Sequence, residues 1–239
     1  NLFEHLWRKV GDELIWESAE QKLLGITIDK ELCFDSHLVK LCKKVGQKVT
    51  VLSRIVNLLP FHKRRDILKA FIESQFSYCP LIWMFCRRQI NRKINHIHER
   101  ALRLVYRDYD STFEDLLHMD KSVCIHHRNI QQVAIKMYKV KNELSPPLIK
   151  ELFEKKHSGP NTRAGVDFLR PNVNTVYKGV NSLRNFGPIV WNSMLPDNIK
   201  QCSTLMAFKT SVKKWIPENC PCRLCMPFIK VLGYTQLFD

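Results

Sequence analysis

Three cysteines in the C-terminal Cys220-Pro221-Cys222-Arg223-Leu224-Cys225 give the chain its densest metal-ligand spacing. Thiolates this close can converge on one Zn²⁺, but tetrahedral zinc wants a fourth ligand and none follows before Asp239. Cys202 or a residue from elsewhere would have to complete the set; otherwise the array is a reduced surface tail. His126-His127 beside Cys124 is a poorer cluster, because adjacent helical residues point about 100° apart. A structural or solvated role suits that pair better. His98-Glu99 lacks the second histidine of a zinc-protease helix. Asp108 and Asp110 flank Tyr109 just before a capping signal and read as a turn. There is no Gly-rich phosphate loop, no Gly-x-Ser-x-Gly elbow and no adjacent aspartate pair, so spacing alone composes no active site.

Charge is the stronger signal. The 239 residues carry a formal net charge of +15 and a pI near 9.5. Such a balance points to polyanions, nucleic acid before an anionic membrane. The cations are also sorted. At ~100° per residue, Lys40, Lys43, Lys44, Lys48 and Arg54 fall opposite an apolar stripe of Leu38, Leu41, Cys42, Val45, Val49, Leu52, Val56 and Leu59. Arg88, Arg92, Arg100, Arg103 and Arg107, with His96, lie opposite Ile90, Ile94, Ile97, Ala101, Leu104 and Val105. Lys63, Arg64 and Arg65 form a basic first turn between these two runs. Phosphates need cations on a rigid face, and each one neutralised releases counterions. These Lys and Arg residues are the expected nucleic-acid contacts; the plainer reading is a solvated face.

The elements that must position them are mostly helices. Low glycine content with many Leu, Ile, Lys and Arg favours helix. Residues 10–28 read as two strands, 10–16 and 22–28, with Leu24, Ile26 and Ile28 on one face. Asp35 or Ser36 caps a helix to about Leu59, and Pro60 opens the next. Pro80 should break that element, and the apolar run around Trp83 belongs in the core. A helix over 87–107 follows. Ser111-Thr112-Phe113-Glu114 reads as a capping box for a helix through His118, and Ser122 starts another that Ser145-Pro146-Pro147 stops. Two more helices are expected near 182–194 and over 203–216, with Phe186, Ile189, Trp191, Leu205, Phe208, Val212 and Trp215 forming a small second core.

The expected fold is therefore mainly α: a multi-helix bundle preceded by a short N-terminal β-hairpin, with a smaller C-terminal helical subdomain. Its divisions are a hairpin over 1–34, a helical domain over 35–153, a loose linker over 154–174, a helical subdomain over 175–217 and a cysteine-containing tail over 218–239. Cys42, Cys79, Cys86 and Cys124 read as reduced core or half-core residues of a nuclear or cytoplasmic protein. No apolar run is long enough to cross a bilayer and no secretory leader opens the chain. The expectation is a protein neither secreted nor transmembrane. The start at Asn1 suggests a processed chain or a fragment.

Residues 22–37, KLLGITIDKELCFDSH, resemble the end of the palm in reverse transcriptases of jockey-like non-LTR retrotransposons, where a Leu-Gly strand leads into a helical thumb. LPFHKRRDILKAFIESQFSYCPLIW, HERALRLVYRDYDSTFEDLL, IHHRNIQQVAIKMYKVKNELSP, SLRNFGPIVWNSMLPDNIK and FKTSVKKWIPENCPCRLC extend the likeness in the family's order over nearly the whole chain. The resemblance implies the C-terminal palm edge, thumb and post-thumb of an RNA-directed DNA polymerase. Its partners would be RNA and DNA, gripped as a template–primer duplex without reading sequence. It also implies that the family's metal-binding aspartates lie upstream of residue 1, so Mg²⁺ belongs only to that missing region and no catalytic residue carries over. This chain alone should bind and not polymerise. The alternative is a non-catalytic protein-interaction or structural remnant with a zinc-binding tail.

Overall fold

The computed structural model describes residues 7–16, 18–153, 167–175 and 179–217. Four short strands come first: β1 Trp7–Val10, β2 Glu13–Trp16, β3 Glu20–Leu23 and β4 Ile26–Asp29. Among the described residues ten helices follow: α1 Asp35–Ile55, α2 Phe61–Ile67, α3 Pro80–Trp83, α4 Arg88–Tyr106, α5 Phe113–Asp120, α6 Ile125–Lys141, α7 Pro147–Lys150, α8 Leu183–Ile189, α9 Asp197–Lys200 and α10 Leu205–Lys214. The mainly helical fold with an N-terminal hairpin is as the sequence indicates.

The strands pair differently from the expectation. Each expected strand region is itself a hairpin: β1 pairs only with β2, and β3 only with β4, both antiparallel. Gly11 turns the first with φ +62°. Leu24-Gly25 turns the second, with φ +48° and +87°, the two left-handed residues of a type I′ loop. Leu24 therefore leaves the expected apolar face and is 82% exposed, while Ile26 is buried. Besides the Lys40–Glu20 pair, two bonds seat this hairpin on the helices. Tyr78 donates its hydroxyl proton to the Leu24 carbonyl, and Thr27 N–H donates to His37 Nδ1 at 3.4 Å. Asp29 then shapes the entry to α1 by accepting from the backbone N–H groups of Cys33 and Phe34 at 2.8 and 2.5 Å.

The first core is largely aliphatic. Leu38, Cys42, Val45, Val49 and Leu52 of α1 pack with Ile94, Ala101, Leu102 and Val105 of α4, and Leu68, Ile72, Phe76, Trp83 and Leu116 close it. Each Leu, Ile, Val and Phe side chain among them contributes roughly 1.5–3 kcal/mol over leaving it in water. After α2 the helix loosens into a π turn, Leu68–Ile72, and tightens into a 3₁₀ turn, Glu73–Ser77. Pro80 breaks the element and opens α3. Cys42 and Cys86 are buried as expected, but Cys79, in the left-handed corner before Pro80, is exposed. The capping box before α5 sits one residue later than the sequence pattern places it. Thr112 and Asp115 form it, while the Ser111 hydroxyl goes to Asp108 at 2.6 Å. The helix expected from Ser122 starts after Cys124, whose sulfur accepts from His127 N–H.

The second core is aromatic and larger than the C-terminal residues alone could build. Phe186, Trp191, Phe208 and Val212 pack on Ile130, Val133, Met137 and Tyr138 of α6, so residues 175–217 share their core with α6. Tyr138 and Phe208 stack at 4.2 Å between ring centroids. Gly187 lets α8 approach α6 closely: a Cβ there would lie 2.6 Å from Met137 Sδ and would push that side chain aside. Within the expected linker, Phe168 is fully buried between Phe153 and Trp191, and Asp167 accepts from Lys141 Nζ and Trp191 Nε1, both at 2.6 Å. That end of the segment is anchored, not loose.

Candidate nucleic-acid interface

α1 and α4 run parallel, side by side. At their starts Arg87 pairs with Asp35 at 2.9 Å; at their ends Arg107 reaches the carbonyls of Val56 and Asn57 at 3.5 and 3.4 Å. Both are about 30 Å long at ~1.5 Å per residue. Their apolar stripes meet in the first core, so their opposite faces point outward on a common rigid backing. Lys43, Lys44 and Arg54 of α1, Lys63 of α2 and Arg92 and Arg100 of α4 are exposed and hold no ion pair among the described residues. Lys93, absent from the expected set, joins them: it is exposed on the edge of α4 that faces Cys42 of α1. The sequence does carry its signal, a lysine at the margin of an arginine-rich face.

Other expected contacts are tethered. Lys40 pairs with Glu20 at 3.1 Å on the surface, worth little in water. Lys48 donates to the Phe71 carbonyl at 3.2 Å and stands 5.7 Å from that ring's centroid. Arg88 is exposed at the start of α4 and has a partner within the protein.

Arg64, Arg65 and Arg103 are half-buried and lie against neighbours within the protein. Arg65 donates from Nε to Asp120 Oδ1 at 3.0 Å and from Nη2 to the Asp120 carbonyl at 3.2 Å. Asp120 is buried and also accepts from the Tyr106 hydroxyl at 2.9 Å. Burial, then that bond, push the Tyr106 pKa up. Arg103 pairs with Glu99 at 2.7 Å one turn away, and both are half-buried. Arg64 is half-buried with its guanidinium 5.7 Å from the Phe61 ring centroid.

Glu73 is a residue that helical periodicity does not single out. It is buried, and Arg128 grips it with both terminal nitrogens at 2.6 and 2.7 Å; His98 Nε2 lies 3.2 Å away. Burial alone would raise this carboxyl, but the bonds from His98 and Arg128 outweigh it and hold the pKa at about 2. His98 is fully buried, and burial lowers its pKa more than Glu73 raises it. Its Nδ1 has no hydrogen-bond partner, which suits a neutral ring that donates from Nε2. The one clue in the sequence is an acid inside the apolar run Ala70-Phe71-Ile72-Glu73.

Two surface recesses adjoin the cationic face. A cleft of about 930 Å³ between the β3–β4 hairpin and α1 is lined by Lys22, His37, Lys40, Lys44, Gln75 and Tyr78. A smaller groove of about 350 Å³ beside α1 is apolar, with Val51, Ile55, Ile67 and Phe71 along it. Among the described residues no group of three or more His, Cys, Asp or Glu is placed to hold a metal. Cys220, Cys222 and Cys225 lie outside the described residues. No described helix is long and apolar enough to cross a membrane. The arrangement can hold a polyanion against parallel helices. No protein-family model, curated protein or solved structure matches this chain.

Proposed function

We propose that this chain binds a template–primer duplex through its phosphates, as the palm-edge, thumb and post-thumb part of a jockey-like non-LTR reverse transcriptase. The family assignment rests on the ordered sequence segments. The binding is carried by one observation: Lys43, Lys44, Arg54, Arg92, Lys93 and Arg100 are exposed and free of ion pairs among the described residues, on two parallel helices locked by a shared core. Cations so placed match a phosphate backbone and carry no base readout. On this reading the helices grip the duplex, and synthesis belongs to the polymerase palm. The chain works in the nucleus or cytoplasm, where its RNA and DNA partners are.

The test is a salt titration of binding to an RNA–DNA hybrid. Six phosphate contacts give a slope of log K against log salt of about −5. Reversal of Lys43, Arg54, Arg92 and Arg100 to Glu should abolish binding. A flat slope, or unchanged affinity of the reversed variant, overturns the reading. A primer-extension assay with Mg²⁺ should yield no product, and extension would refute the assigned inactivity. For the tail, zinc at one per chain that is lost in Cys222→Ser would establish the metal site, and protein free of zinc would remove it.

A second reading, a protein-interaction module, is favoured by the apolar groove at Val51, Ile55 and Phe71, which are all exposed. On that reading Phe71→Glu, and not the charge reversal, abolishes association with a protein partner.

A further inference from the structure

Across α4 from the duplex face lies a second cationic recess. A cleft of about 750 Å³ opens between α4, the α5–α6 turn and the end of α10. Lys121, Lys213 and Lys214 line it from two separate elements, all exposed and without an ion pair among the described residues. Glu114 is the only acid along it among the described residues. Its wall is partly apolar, from Phe113, Leu117 and Ile216. Two polar atoms there have no hydrogen-bond partner although both are buried: Asn95 Oδ1 and Ser122 Oγ. The first turn of α6 also borders the cleft, so the positive end of that helix adds to the lysines.

We propose that this cleft holds a single nucleic-acid strand running off the duplex bound on α1 and α4. The inference rests on the nucleic-acid reading above. The volume is that of a small-molecule pocket, with room for a nucleotide or two and not for a double helix. Its chemistry divides as a single strand requires: lysines for the phosphates, an aromatic and apolar wall for base or sugar, and an amide and a hydroxyl for base edges. Its position supplies the path. Asn95 follows Arg92 by three residues, and residues at this spacing are neighbours on a helix surface. Arg92 belongs to the duplex face and Asn95 to the cleft, so one side of α4 connects them.

The experiment compares a blunt RNA–DNA hybrid with the same hybrid carrying a single-stranded overhang. The native chain should bind the overhang substrate roughly tenfold tighter, with a salt slope steeper by about 2. Lys121→Gln/Lys213→Gln/Lys214→Gln should erase both gains and leave blunt-duplex affinity within about twofold. Lys136→Gln/Lys139→Gln/Lys209→Gln, which removes equal charge from α6 and α10 outside the cleft, should keep them. Equal binding of the two substrates by the native chain, or equal losses in the two triple variants, overturns this inference while blunt binding upholds the duplex reading. No binding of either substrate overturns both. These lysines are exposed or only half-buried, so a thermal melt of each variant should match the native one.

Discussion

The core under α1 and α4 and the core behind α6 solve the same packing problem with different chemistry. The first is mainly Leu, Ile and Val, and buried charge crosses its edge at Glu73–Arg128–His98 and Arg65–Asp120–Tyr106. The second packs Tyr138, Phe168, Phe186, Trp191 and Phe208 together, and a tight ion pair, Lys141–Asp167, sits at its half-exposed rim. Those bonds tie α4 to the Glu73 turn and α6, and to α2 and α5, while apolar packing joins α4 to α1. α6 joins the two, giving Arg128 to one and Met137 and Tyr138 to the other.

Acid separates them most sharply. Glu73 ionises at about 2 in the fold against 4.5 for an ordinary glutamate, and His98 lies below its ordinary 6.5. Both groups bind protons more readily in the unfolded chain, so stability falls as pH falls. The loss begins as pH drops below 6.5 through His98 and continues between 4.5 and about 2 through Glu73. His37, lowered by burial and then by Lys40, adds to the upper part with the same sign. Glu73→Gln should cost about 3–5 kcal/mol at neutral pH, because Arg128 and His98 lose their buried anion. It should also flatten the acid limb in urea titrations. Phe208→Ala should cost a similar ~3–5 kcal/mol by leaving a cavity, yet keep the native acid limb, because this buried side chain bonds no titrating group. An acid limb lost in both variants would mean that the two cores do not differ as described.

The next contrast is within the arginines. Arg65→Ala should cost about 2 kcal/mol, since it strips Asp120 of its charged partner. The salt slope of nucleic-acid binding should not move. Arg100→Ala should do the reverse: stability within about 0.5 kcal/mol and a slope shallower by about 1. Measured together, melting and salt titration sort the whole basic set into structural and binding members.

α1 and α4 are legible in the sequence because their apolar stripes run unbroken at helical period, and that period also turns most of their cations outward. Features that depend on a change of period, or on distance along the chain, stay hidden. A regular helix through 61–76 would turn Glu73 toward solvent. The π turn at Leu68–Ile72 takes an extra residue and rotates the succeeding residues by about 100°, carrying Glu73 inward. Arg65 meets Asp120 across 55 positions, and no local pattern announces such a pair. The aromatic core likewise looks local to the C-terminal helices in sequence, although Tyr138 stacks on Phe208. The hairpins hide for a subtler reason: Leu24 has the pattern of a strand residue, and its left-handed φ belongs to a turn normally held by Asn or Gly.

That turn yields the smallest effect and the finest comparison. Leu24 and Gly25 both need positive φ, and Gly25 meets it freely while Leu24 does not. A branched side chain in this region costs roughly 1–2 kcal/mol, and Asn, which tolerates it, costs less. The Leu24 side chain is almost wholly exposed, so its packing offsets little of that cost. Leu24→Asn should therefore stabilise the protein by about 0.5–1 kcal/mol, read as a rise in the urea midpoint. The Tyr78 bond is to the backbone carbonyl and survives the change. A fall in stability would mean that the Leu24 side chain holds the hairpin onto the helices. In that case the Leu24 side chain joins buried Ile26 and the bonds to Tyr78, His37 and Lys40 in holding the hairpin.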